Sequence, residues 1–262
     1  MLYHLHDLQH VAMTPFRIQA ELTRTVFQSP WNPLSYTQTG RTIAATAEMI
    51  ERGTRHFGRP NFGLAETFID GKKVDVVENI IVEKPFCRLL HFQRKTKRND
   101  PNILLVAPMS GHYATLLRGT VKALLPHHNV YITDWEDARQ VPLAEEYFNL
   151  DTYITYLREF MSLLGPQTHV IGVCQPVVPV MAAISLMASE NDPNQPLSMT
   201  LMGGPIDTRV SKTEVTELAE TRPTRWFEQN AVHDVPFYYP GAFRRVYPGF
   251  LQLGGFMSMN LD

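Results

Sequence analysis

Ile171-Gly172-Val173-Cys174-Gln175-Pro176 is the stretch on which the fold turns. Upstream, His169-Val170-Ile171 has the character of a buried strand end, and Val177 to Ser189 downstream has the apolar density of a packed helix. A small Gly two residues before a thiol, where a strand bends sharply into a helix, is the physical core of a nucleophile elbow. Such a turn lifts one side chain out of the sheet toward the first N–H groups of the helix, where negative charge is favoured. The lifted residue here is Cys174. Pro176 replaces the last Gly of the usual motif and suits a first helical turn, where its missing N–H costs nothing. Taken alone, the turn fits a buried structural cysteine equally well, so the surrounding order of elements matters.

Working outward, Ile103-Leu104-Leu105-Val106-Ala107 is a continuous apolar run, as expected for a strand inside a parallel sheet. It leads into the loop Pro108-Met109-Ser110-Gly111 and a helix from about His112 to Leu125. A strand at 129–133, a helix at 150–164 and a strand at 198–202 ending in Gly203-Gly204 follow the same alternation. Before it, residues 74–83 and 87–92 read as two strands joined by a turn at Lys84-Pro85. Strands alternating with helices mean an α/β fold with parallel pairing, and this order matches an α/β-hydrolase-like, mostly parallel sheet.

Three regions are expected. Residues 1–73 form an N-terminal helical segment, in which Thr14-Pro15 supplies an N-cap and first-turn Pro and Ser29-Pro30-Trp31-Asn32-Pro33 breaks the pattern. Residues 74–204 form the α/β-hydrolase core. Residues 205–262, rich in Pro, Tyr, Phe and Met, begin a helical cap with helices expected at 212–219 and 224–230, and no further strand signal.

With 262 residues, 44% hydrophobic and 19% charged, the chain has ordinary globular composition. A net charge of −2 and the lack of a long basic run argue against nucleic acid as a partner. No apolar run reaches the roughly 18 residues of a membrane span. Met1 to His10 carries neither a basic leader nor an apolar h-region, so an intracellular setting is expected. The two cysteines, Cys87 and Cys174, lack metal-ligand spacing, and neither a metal nor a cofactor is expected.

In such folds the loop after the 103–107 strand holds the second oxyanion donor. Met109 and Ser110 occupy that position, Gly111 permits close backbone approach, and His112 is a site-lining candidate. Asp134, after a strand, either lines the pocket or ends the strand with local backbone bonds, the second being favoured. His169 fits a plain strand residue.

Pro108-Met109-Ser110-Gly111-His112-Tyr113-Ala114-Thr115-Leu116-Leu117-Arg118-Gly119-Thr120 resembles the loop–helix signature of intracellular poly(3-hydroxybutyrate) depolymerases. So do Tyr131-Ile132-Thr133-Asp134-Trp135, Val173-Cys174-Gln175-Pro176, Leu201-Met202-Gly203-Gly204-Pro205-Ile206-Asp207 and Tyr247-Pro248-Gly249-Phe250-Leu251-Gln252. Leu2-Tyr3 and Asn32-Pro33-Leu34-Ser35-Tyr36 are similar as well. The resemblance implies an ester hydrolase of stored polyester, with Cys174 as nucleophile and the N–H of Gln175 as an oxyanion donor. It implies a poly(3-hydroxybutyrate) granule or 3-hydroxybutyrate oligomers as partner, and a cytoplasmic place at the granule surface.

The family pattern also has an acid and a His after the cap, together with further strands. Both are expected beyond Asp262, so the chain reads as a truncated or incomplete member with doubtful activity of its own. Asp207 and His233 stand in the right chain order for a substitute triad, but geometry defines a triad and not order. A polyhydroxyalkanoate synthase-related acyltransferase is the alternative enzyme, although its elbow keeps Gly where this chain has Pro176. A non-catalytic granule-associated fragment is the alternative outside enzymes, with the N-terminal helices adhering to polymer.

Overall fold

The computed structural model describes residues 2–55, 58–109, 113–210 and 212–258. The chain divides into two compact units after Arg59. The first holds α1 (Leu2–Ala12), α2 (Thr14–Gln28), a 3-10 turn at Pro33–Tyr36, and α3 (Gln38–Thr54). Pro15 lies in the first turn of α2, and Thr37 caps α3 by accepting the Gly40 N–H at 3.1 Å. Gly40 is required where it stands: a Cβ there would lie 1.9 Å from the Leu34 carbonyl oxygen. Ala20, Ala44 and Ala47 are buried, which fits a close approach of α2 and α3. Glu51 is buried as well, with its charge met by Arg24 at 3.6 Å and Arg55 at 3.3 Å.

The second unit is built on β1 (Glu66–Ile69), β2 (Lys72–Lys84), β3 (Cys87–Arg94), β4 (Asn102–Val106), α4 (Arg118–Leu124) and β5 (Asn129–Trp135). It continues through α5 (Leu150–Leu164), β6 (Thr168–Val173), α6 (Val177–Ser189) and β7 (Ser198–Met202). Then come α7 (Glu214–Thr221), α8 (Thr224–Asn230), β8 (His233–Asp234), β9 (Arg245–Val246) and α9 (Gly249–Ser258). One sheet has the order β1-β2-β3-β5-β4-β6-β7, with β5, β4, β6 and β7 mutually parallel and β1 to β3 antiparallel to their neighbours. This is an α/β-hydrolase-like sheet. The central strands carry apolar residues on both faces: Leu104, Leu105 and Val106 of β4, and Val130 and Ile132 of β5, are fully buried. Val121 of α4, Tyr156, Leu157 and Phe160 of α5, and Val180, Ala183 and Met187 of α6 complete the same core.

Several expectations change. The last part of the 1–73 stretch is not helical, because β1 lies there and pairs with β2 across Asp70-Gly71. Both turn residues have positive φ, 50° and 76°, which a two-residue hairpin loop of the Asp-Gly kind requires. The helix expected from about His112 is, in its described part, a 3-10 turn at Ala114–Leu117 followed by α4. Leu117, at φ −92° and ψ 15°, separates them. Beyond Gly204 the short hairpin β8–β9 appears, too brief to leave an alternating pattern.

Asp134 has a distant partner as well as its place at the strand end. It sits within β5, buried, and its carboxylate receives the Arg88 guanidinium at 2.6 Å from the facing position on β3.

Candidate active site

β4 is the pivot of the sheet. The chain leaves it for β5 on one side and returns in β6 on the other, so the carboxyl ends of β4 and β6 flank a topological switch point. Crevices at such points are where open α/β sheets bind ligands. Val106 is in register with Gly172, which places the loop after β4 beside the turn after β6.

That turn is sharp and strained. Cys174 has φ 66°, in the left-handed region, a conformation that costs a non-Gly residue about 1–3 kcal/mol and persists only when its surroundings hold it. Four contacts do so. The Cys174 N–H donates to the Met202 carbonyl at 2.7 Å, and the Val177 N–H donates to the Cys174 carbonyl at 3.2 Å. Gly172 lies against α6, where an added Cβ would stand 3.3 Å from Val180 Cγ2. Gly204 is tighter still, its Cβ position falling 2.2 Å from the Cys174 carbonyl oxygen. The thiol itself is exposed.

Of the predicted oxyanion residues, Gln175 follows Cys174 at the mouth of α6 and Met109 follows β4 across the crevice. A bond joins them: the Met109 N–H donates to the Gln175 side-chain Oε1 at 3.1 Å. Ser110, Gly111 and His112 lie outside the described residues. Cys87 is buried in β3, its S–H directed at the Arg88 carbonyl at 3.4 Å.

The charged residues raised by the sequence sit elsewhere. His169 is near the amino end of β6, with Nδ1 2.7 Å from Ser198 Oγ. Asp207 is exposed and engaged by Arg209 at 2.9 and 2.8 Å, a pairing that holds its carboxyl below the usual range. His233 belongs to β8, opposite Val246. Among the described residues, no histidine or carboxylate is hydrogen-bonded to Cys174 Sγ. Nor does any group of three or more His, Cys, Asp or Glu among them form a metal cage.

The aromatic run Phe237-Tyr238-Tyr239-Pro240 with Phe243 and Tyr247 reads from sequence as an apolar groove or the inner face of the cap, but the sequence does not say how it is held. The segment 235–246 forms an aromatic loop docked on the stretch after β5. Arg244, buried, donates to the carbonyls of Val141 at 3.2 Å and Pro142 at 2.8 Å, and its guanidinium lies 4.8 Å over the Phe86 ring. Gly241 fits among the carbonyls of Ala138, Arg139 and Val141, where a Cβ would come within 2.6 Å of the first. Phe237, Tyr238 and Phe243 project outward, Phe243 at φ 65°. Gly241 and Arg244 were readable as a Gly and an Arg in an aromatic run, but their partners lie about a hundred residues away. A separate groove of about 450 Å³ belongs to the N-terminal unit, lined by Phe27, Pro30, Tyr36, Ala44 and Glu48 among others, none with elbow chemistry.

Residues 203–262 match the family described as PHB de-polymerase C-terminus. The match relates the chain to the PHB depolymerases, and it begins at the Gly203-Gly204 turn that braces the elbow. No curated protein matches the chain. Solved structures similar to it include a bacterial membrane phospholipase A, 16% identical over 84% of this chain and 58% of the other, with a TM-score of 0.41. An esterase/lipase from an uncultured bacterium is 11% identical over 84% of this chain and 71% of the other, TM-score 0.40. Naproxen esterase from Bacillus subtilis is 13% identical over 48% of this chain and 42% of the other, TM-score 0.35. The chain spans about half the length of two of these solved proteins, 42% of the naproxen esterase and 58% of the phospholipase. At these scores the fold stands on the strand order and the elbow.

Proposed function

We propose that this chain is the nucleophile-bearing part of an ester hydrolase acting on poly(3-hydroxybutyrate), with Cys174 as nucleophile. The observation that carries the proposal is an exposed thiol held at φ 66° between a parallel strand and a helix, beside the switch-point crevice. The match of residues 203–262 to the depolymerase C-terminus supports the substrate class.

Cys174 sulfur attacks the ester carbonyl carbon, and the carbonyl electron pair moves onto oxygen. Backbone N–H groups of Gln175 and of the loop after β4, Met109 or Ser110, face the negative oxygen. Collapse of this intermediate expels the alkoxide, which takes the proton that a base removed from the thiol, and leaves a thioester on Cys174. Water then attacks the thioester carbonyl, and the thiol departs as the hydroxy acid is released. Residues 205–262 would serve as the beginning of a cap, with the docked loop carrying Phe237, Tyr238 and Phe243 offering apolar surface to the polyester. The setting that fits this chemistry is the surface of a storage granule in the cytoplasm. Among the described residues, no helix is long and apolar enough to cross a membrane.

Hydrolysis of a 3-hydroxybutyrate oligomer by the enzyme with its base supplied, followed as released acid, tests the proposal. Cys174→Ala should lower the rate by several orders of magnitude, as removal of a nucleophile does. Hydrolysis that survives the substitution would reject the covalent thiol route.

A further inference from the structure

The Met109 amide and the Gln175 carboxamide meet across the crevice between β4 and β6. Met109 N–H is, with that of Ser110, one of the two candidates for the second donor of the proposed acyl transfer, and its partner here is Oε1 of a primary amide. An amide oxygen is chemically close to an ester carbonyl oxygen: both are sp² acceptors that lie in the plane of a C=O group. Gln175 is exposed, so water can reach its side chain and replace it at this bond. Its bond has the geometry of an ordinary neutral hydrogen bond and can be exchanged for an equivalent one.

From these facts we infer that the Gln175 side chain is a placeholder for the substrate carbonyl: it occupies the Met109 donor in the resting site and is displaced when an ester oxygen arrives. The inference rests on the ester hydrolase function proposed above and assigns Gln175 two separate roles. Its backbone N–H helps to hold the oxyanion, while its side chain competes with that oxyanion for the opposite donor. A side chain that merely held the loop after β4 in place would act in the reverse sense, because its loss would misplace Met109 and weaken the oxyanion site.

An alkyl trifluoromethyl ketone separates the two. The Cys174 thiolate sulfur adds to the ketone carbon, the C=O pair moves onto oxygen, and nothing leaves, so the adduct carries an oxyanion without turnover. Adduct affinity is measured by ¹⁹F NMR for the unaltered chain, Gln175→Ala and Gln175→Glu. Amide hydrogen exchange at Met109 is followed in the same proteins without ligand. The placeholder predicts faster Met109 exchange in Gln175→Ala and an adduct roughly two- to tenfold tighter, the value of one released hydrogen bond. Gln175→Glu should bind more weakly than the unaltered chain, since a carboxylate is the stronger acceptor and repels the oxyanion. An adduct of equal or weaker affinity in Gln175→Ala, or unchanged exchange at Met109, would overturn the inference. Failure of the underlying function looks different: no adduct forms on Cys174 in any of the three proteins, and the inference falls with it even if Met109 exchange responds to the substitution.

Discussion

Gly204 approaches Cys174 so closely that a methyl group on it would stand 2.2 Å from the Cys174 carbonyl oxygen and 2.3 Å from Val177 Cγ2. The first turn after β7 thus presses on the elbow and on the first residue of α6. Together with the Cys174 N–H bond to Met202, it determines the backbone that lifts the thiol. Gly204→Ala should therefore cost about 1–3 kcal/mol, as overpacking does, and move the thiol. Denaturation midpoints and the rate of Cys174 alkylation measured together check this. An unchanged midpoint with unchanged alkylation would show that β7 does not brace the elbow.

The pair of half-buried Arg88 and buried Asp134 joins β3 to β5, the strand beside β4. Arg88→Met removes a charged donor from the buried Asp134 carboxylate and should destabilise by about 1–3 kcal/mol, as loss of a hydrogen bond to a charged group does. The double variant Arg88→Met with Asp134→Leu should lose less than the two single variants together, because the two side chains share one bond. Urea denaturation of the single and double variants measures the difference.

His91 of β3 stacks on Tyr131 of β5, ring centroids 4.3 Å apart, and its Nε2 is buried without a partner. Burial, and then the Arg94 charge, push its pKa below the ordinary 6.5. The unfolded chain therefore binds the proton more readily than the folded one. The stability linked to His91 is complete above pH 6.5 and is lost as the pH falls through its lower folded value. His91→Phe keeps the ring stack and should flatten the dependence of stability on pH in this range. An identical pH profile in the variant would remove His91 as its source.

How much of this was written in the sequence follows from the range of each signal. β4, β6 and α6 rest on local apolar runs, and Cys174 on a Gly and a Pro within two residues of it, so the elbow was legible. Asp70-Gly71 was legible too, as a short turn pair, but the helical segment was carried past it to residue 73. The Arg88 contact of Asp134 was not legible, because Arg88 is 46 residues away and becomes a neighbour only through the β3–β5 register. The same holds for Gly204 against Cys174 and for Arg244 against Val141: a residue type can suggest a role, but only the fold supplies the partner. The Gln175 side chain was passed over because the motif draws attention to its backbone.

The two cysteines differ enough in exposure to be told apart by simple alkylation. Cys174 is exposed and Cys87 is 1% exposed within β3. Iodoacetamide under native conditions should modify Cys174 first, with Cys87 reacting only after unfolding. Peptide mapping that finds Cys87 modified ahead of Cys174 would reject the placement of the elbow.

The central claim is that Cys174 forms a covalent acyl intermediate. Its most direct test is acid quenching of the chain during incubation with an activated 3-hydroxybutyrate ester, followed by mass spectrometry of the intact protein and its peptides. The account predicts one 3-hydroxybutyryl group, labile to hydroxylamine, on the peptide that carries Cys174, and none in Cys174→Ala. An acyl group on another residue, or ester turnover that continues in Cys174→Ala with no acylated protein at all, would contradict it.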